Sequence, residues 1–63
     1  MQHTGAVIQT ARKAQNLSLR DLARLSEVDY SMISRIERGL VDPSPRVVKA
    51  LTEALGRYAA GAA

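Results

Sequence analysis

The sequence predicts an all-helical fold, a compact bundle of four to five helices, on three observations. No segment alternates apolar and polar residues with a period of two, and the β-branched residues are scattered, so no strand is expected. Apolar residues instead recur three and four positions apart, the spacing that lines one side of a helix. Between these stretches stand residues that start and stop helices: Ser18, Asp29 and Ser44 as caps, Gly39 and the prolines as breaks.

Thr4 can cap a first helix in which Val7, Ile8, Ala11 and Ala14 share a face, ending near Gln15 and Asn16. Ser18 opens a second: its hydroxyl can cap the helix while Asp21 reaches back, a capping box with the shorter acid, and Leu19, Leu22, Ala23 and Ser26 then fall together. Only Glu27 to Asp29 separate it from a third helix, which starts at Tyr30 behind Asp29 as N-cap and ends at Gly39 as the C′ residue. Val28, Met32, Ile33 and Ile36 are core residues. Tyr30, Ser31, Ser34, Arg35 and Arg38 fall in one arc on the other side, at about 100° per residue.

The segment LVDPSP cannot be helical throughout, because Asp42 and Ser44 each precede a proline and are pushed out of the α region. Ser44 as N-cap and Pro45 at the first helical position launch a fourth helix, with Val47, Val48, Leu51, Ala54 and Leu55 inward and Gly56 as its close. The tail RYAAGAA carries no clear element. Residues 1–56 thus read as the domain and 57–63 as a tail that packs on the core, through Tyr58, or aids pairing between copies.

A chain of 63 residues buries only about 60% of its surface and makes one domain with a thin core. It has no Cys, so neither a disulfide nor a thiolate zinc site can compensate, and stability rests on aliphatic packing. No apolar run approaches the ~20 residues of a membrane span, and the N-terminus lacks the layout of a signal peptide. The expectation is a soluble, unprocessed chain. Enzymatic chemistry finds no support: His3 is the lone histidine, no carboxylate pair faces an apolar cleft, and neither a metal-ligand cluster nor a phosphate-cradling glycine loop is present. No cofactor, metal or small-molecule substrate is expected. Nine Lys and Arg against six Asp and Glu leave +3, which suits a polyanionic partner.

Two short helices joined by so brief a turn cross steeply, the geometry of a helix-turn-helix. The residues NLSLRDLARLSEVDYSMISRIERG resemble, without a gap, the helix-turn-helix of the phage Cro and repressor family, also called the XRE family. The matching features are Leu22-Ala23, Val28, Ile33-Ser34, Ile36-Glu37 and Gly39, then a Pro-Ser linker and a helix ending in Leu55-Gly56. The similarity spans Gly5 to Gly56 and implies a lambda repressor-like bundle.

The resemblance implies that the helix from Tyr30 to Arg38 enters the DNA major groove, with Tyr30, Ser31 and Arg35 at the base-facing positions. Arg35 can donate two bonds to guanine O6 and N7, worth about 1–3 kcal/mol of discrimination; the alternatives are a phosphate contact or a solvated arginine. Tyr30 can lay its ring on a thymine methyl, bond a phosphate through its hydroxyl, or simply cover the turn. Ser31 is a small adaptable contact. Phosphates are expected at the start of the second helix, from Ser18 and the amides of Leu19 and Arg20, and at Ser34, Arg38 and Arg46. The bland alternative for Arg38 and Arg46 is a solvated surface arginine; Lys13, Arg24 and the Arg20 side chain are weaker candidates. Arg12 and Glu37 match positions that form a partly buried ion pair, so Arg12 is assigned to structure and not to DNA.

Three departures stand out. Most relatives have glycine in the turn where this chain has Glu27, so the turn either takes a positive φ at some cost or shifts. Leu19 replaces a polar side chain and is expected to turn inward. No counterpart of the family's fifth helix follows Gly56.

The implied function is a sequence-specific regulator of transcription on double-stranded DNA, a small stand-alone Cro-like repressor with a palindromic or near-palindromic operator. A fragment of a two-domain repressor is the alternative for the chain's extent. Relatives bind as two-fold pairs on half-sites about 34 Å apart, which assigns Leu40, Val41 and Tyr58 to a homodimer that is weak or absent in solution and forms on DNA. The expected location is the cytoplasm of a bacterial or phage-infected cell, on DNA. The rival reading is an antitoxin-like interaction module whose exposed Leu25, Leu40 and Val41 dock another protein.

Overall fold

Four helices, α1 (Thr4–Ala14), α2 (Leu19–Ser26), α3 (Tyr30–Glu37) and α4 (Pro45–Ala62), form the computed structural model, which describes residues 4–62; His3 lies outside them. The described residues contain no strand.

Each boundary has a local cause. α1 stops because the Leu17 N–H donates to the Arg12 carbonyl (3.1 Å) and the Asn16 N–H to Lys13 (3.0 Å), with Asn16 left-handed at φ +58°. That is a Schellman closure, and asparagine enters the left-handed region more readily than most residues. α2 begins in a complete capping box: Asp21 N–H donates to Ser18 Oγ (3.0 Å) and Ser18 N–H to Asp21 Oδ2 (2.9 Å). It ends at Glu27, which takes φ +60°, ψ +25°. The turn therefore keeps the course a glycine gives it, at a backbone cost of about 1 kcal/mol. α3 closes on Gly39, whose φ of +77° lets the Leu40 N–H reach the Arg35 carbonyl (2.9 Å) and its own N–H reach Ile36 (3.0 Å). Ser44 caps α4 by accepting from the Val47 N–H (3.3 Å).

α4 does not end at Gly56. It runs through to Ala62, and the segment expected to lack an element is helical. A glycine stops a helix when it turns left-handed, and among the described glycines only Gly39 has positive φ. Gly56 stays within the helix, and Ala59, Ala60 and Ala62, the best helix formers, outweigh the roughly 1 kcal/mol that each glycine costs.

Ile8, Leu17, Leu22, Ile33, Ile36, Leu51, Ala54 and Leu55 are buried together, with Ala11, Leu19, Ala23, Leu25, Val28, Met32, Val41 and Val47 packed around them. Leu19 does turn inward. Leu17, between α1 and α2, joins the core although it belongs to no helical stripe. α1 is rotated from its expected facing: Val7 is 50% exposed and Ala14 is exposed, while Gly5, Ile8 and Arg12 are buried. The cause is the approach of α1 to the end of α3. A Cβ on Gly5 would lie 2.0 Å from the Ile36 carbonyl oxygen, so only a glycine lets the two backbones come so close.

Candidate nucleic-acid interface

α3 has a buried and an open side. Ile33 and Ile36 are fully buried, whereas Tyr30 (44% exposed), Ser31, Arg35 and Arg38 face outward, with Ser34 half-buried between them. Asp29 sets where this surface begins: its Oδ2 accepts from the Ser31 N–H (3.0 Å), the Met32 N–H (3.3 Å) and the Ser31 hydroxyl. With its O–H donating to Asp29, the Ser31 hydroxyl oxygen is left to accept.

The start of α2 is a second surface. The capping box consumes the Ser18 and Asp21 amides, so among the described residues the Leu19 and Arg20 N–H groups have no internal acceptor. They sit at the positive end of the helix dipole, where an anion is favoured. The two surfaces meet side by side: the Arg20 guanidinium carbon lies 5.2 Å from the centroid of the Tyr30 ring.

The other cations differ in their surroundings. Arg38 is exposed and its Nε donates to the Ser34 carbonyl (3.3 Å); Arg35, Arg46 and Lys13 are exposed. Arg24 pairs with Asp21 at 3.4 Å, in solvent. Arg12 stands apart from all of these. It is 7% exposed and binds Glu37 through two parallel bonds, Nε to Oε2 (2.7 Å) and Nη2 to Oε1 (2.9 Å), while Nη1 donates to the Leu17 carbonyl (2.7 Å). The bonds that Arg12 donates to Glu37 hold the guanidinium above its ordinary pKa, against the opposing effect of burial.

Both capping carboxylates ionise below their ordinary value. At Asp21 the main cause is the Ser18 N–H and then the Ser18 hydroxyl; at Asp29 it is the Ser31 hydroxyl and then the Met32 N–H. A depressed carboxylate contributes stability that is complete above its unfolded pKa, about 3.9, and is lost as the pH falls through its folded value. Denaturant unfolding between pH 6 and pH 2 should therefore show stability falling below about pH 4, and Asp29→Asn should make that fall shallower. An unchanged acid limb would remove Asp29 as a contributor.

The pairing candidates come from two different parts of the chain. Leu40 is 63% exposed in the loop after α3, and Val41 beside it is half-buried against the core. Tyr58, 39% exposed, lies on α4 roughly 20 Å further along than Pro45 at 1.5 Å per residue. There it lines a groove with Leu25, Ala54, Arg57 and Gly61, and Arg57 Nη2 donates to the Leu25 carbonyl (3.3 Å). Leu25 and Val41, expected to be exposed, are half-buried because each packs on the core.

Among the described residues no group of three His, Cys, Asp or Glu side chains is placed to hold a metal ion, and no helix is long and apolar enough to cross a membrane. Sequence reasoning missed the Arg20–Tyr30 contact, since the two residues belong to different helices and no periodicity links them. A signal was present all the same: Ser18 and Asp29 fix the starts of α2 and α3, and a steep crossing brings neighbouring helix ends together.

A family model described as helix-turn-helix matches residues 8–60. No curated protein and no solved structure matches the chain.

Proposed function

From a chain that belongs to the helix-turn-helix family of Cro and phage repressors, the XRE family, and is thus a DNA-binding regulator, we propose a Cro-like repressor that reads a palindromic or near-palindromic operator with α3 in the major groove. The family is one of DNA-binding domains and not of enzymes, and its partner is double-stranded DNA. The observation that supports the reading best is the position of Arg35: exposed at the centre of the open side of α3, on a helix whose other side is fixed by Ile33 and Ile36.

In this reading Tyr30, Ser31 and Arg35 meet bases. Ser18, the Leu19 and Arg20 amides, Ser34, Arg38 and Arg46 meet phosphates on either side. Arg35 donates in a planar fork to guanine. Two copies occupy adjacent half-sites and pair weakly or not at all without DNA; Leu40 and Val41 in the loop after α3 and Tyr58 on α4 are the candidate contact residues.

Selection of bound sequences from a random DNA pool should return a two-fold motif with guanine in each half. On that site Arg35→Ala should weaken binding about 10- to 100-fold, with little effect on random DNA. Arg38→Ala should weaken both and reduce the salt slope by about one. Equal losses on both DNAs with Arg35→Ala would reject base reading by this residue. A second reading, an interaction module, draws on the exposure of Leu40 and on the groove beside Tyr58. It predicts shallow affinity for any DNA and no selected motif.

A further inference from the structure

Arg20 follows Leu19 in the first turn of α2, a turn fixed by the Ser18–Asp21 capping box. Tyr30 is the first residue of α3, fixed in turn by Asp29. Of the acids nearest in sequence, Asp21 is engaged by Ser18 and Arg24, and Asp29 by Ser31 and Met32. Among the described residues Arg20 forms no ion pair; its guanidinium lies instead 5.2 Å from the Tyr30 ring centroid, inside the range of a cation–π contact. A guanidinium on a ring keeps its N–H groups free at its edges, so one side chain can hold the ring and donate to a phosphate at the same time. The Tyr30 side chain is 44% exposed, so a partner beside the ring bears on where it points.

We propose that Arg20 is a positioning residue for Tyr30: stacked on the ring and tied to a phosphate, it holds the phenol at the entrance of the groove, so that base discrimination by Tyr30 depends on Arg20. The inference rests on α3 lying in the major groove. It differs from the phosphate role of the Arg20 amide in assigning the side chain an effect on which base is chosen.

The test uses the full chain in two arms. In the free protein, the Arg20 δ-methylene protons should be shifted upfield by the ring, and Tyr30→Leu should abolish the shift; no shift in the wild type overturns the stack without reference to DNA. On DNA, the selected operator is compared with one altered at the base pair that Tyr30→Ala ceases to distinguish. Arg20→Lys keeps the charge but not the plane. It should reduce this discrimination about two- to five-fold while leaving the salt slope intact, and Arg20→Ala should lower both discrimination and slope. Neither should change discrimination in a Tyr30→Ala background. Full discrimination by Arg20→Lys, with only the salt slope lost in Arg20→Ala, makes Arg20 a phosphate contact and overturns the proposal while the groove reading stands. A stack present in the free protein with no base preference lost on any change at Tyr30 overturns the base role of Tyr30, and this role of Arg20 with it.

Discussion

Gly5→Ala should lower the unfolding temperature by roughly 10–20 °C, a loss of about 3 kcal/mol. The added methyl would sit 2.0 Å from the Ile36 carbonyl oxygen, 2.9 Å from the carbonyl carbon and 3.2 Å from Glu37 Cα, all of them backbone. Backbone cannot swing aside as a side-chain tip does. That carbonyl also accepts the Gly39 N–H at 3.0 Å, so moving it disturbs the closure of α3. At 0.05–0.15 kcal/mol per residue a domain of this length holds about 3–9 kcal/mol in all, and the loss is a large share of it. Gly56→Ala is the control. Nothing lies within 4 Å of a Cβ there and the glycine is helical, so the same substitution should stabilise by about 0.5–1 kcal/mol. Thermal melts of the two variants side by side check the prediction, and two shifts of the same sign would refute the close approach.

The second large effect is expected from the Arg12–Glu37 pair. Its side chains are 9% and 3% exposed, so removing either partner leaves a charge in a poorly hydrated place. Arg12→Ala or Glu37→Ala should each cost about 3–5 kcal/mol. Replacing both by apolar residues of similar volume, Arg12→Met with Glu37→Leu, should cost much less than the two singles together. It should still not be neutral, because the Leu17 carbonyl loses the Nη1 donor at 2.7 Å, and a stranded carbonyl costs about 1–3 kcal/mol. Denaturant unfolding of the two singles and the double gives the coupling directly; additive losses would mean that the pair does not act as a unit.

The residues that made this fold legible act over short distances. Ser18, Asp29, Ser44 and Gly39 settle their helix boundaries with partners two to four residues away, and the outward side of α3 follows from helical period alone. Where the meaning of a residue depends on a distant partner, sequence reading runs out. Gly56 marks a helix end only if its φ turns positive, which its type does not determine. Gly5 and Arg12 face inward on α1 because of Ile36 and Glu37, more than two dozen residues away, and a stripe of apolar residues points to Val7 instead. The Arg12–Glu37 pair enters the sequence reading through resemblance, not through spacing. The Arg20–Tyr30 contact has no counterpart there, because it arises only once two capped helix starts meet.

One guanidinium joins three parts of the chain: α1 from which it comes, the Leu17 carbonyl just ahead of Ser18, and Glu37 at the end of α3. The donors of a guanidinium are held in one plane, so these three bonds together allow less sliding than a single flexible contact would. The interval between the amides opening α2 and the side chains of α3 is consequently set inside the protein. A reader with so fixed a gauge has little capacity to adapt to a duplex of unsuitable groove width or twist. On the proposed function the duplex must do the adapting, and base pairs that no side chain touches then enter the choice of operator through the ease with which they deform.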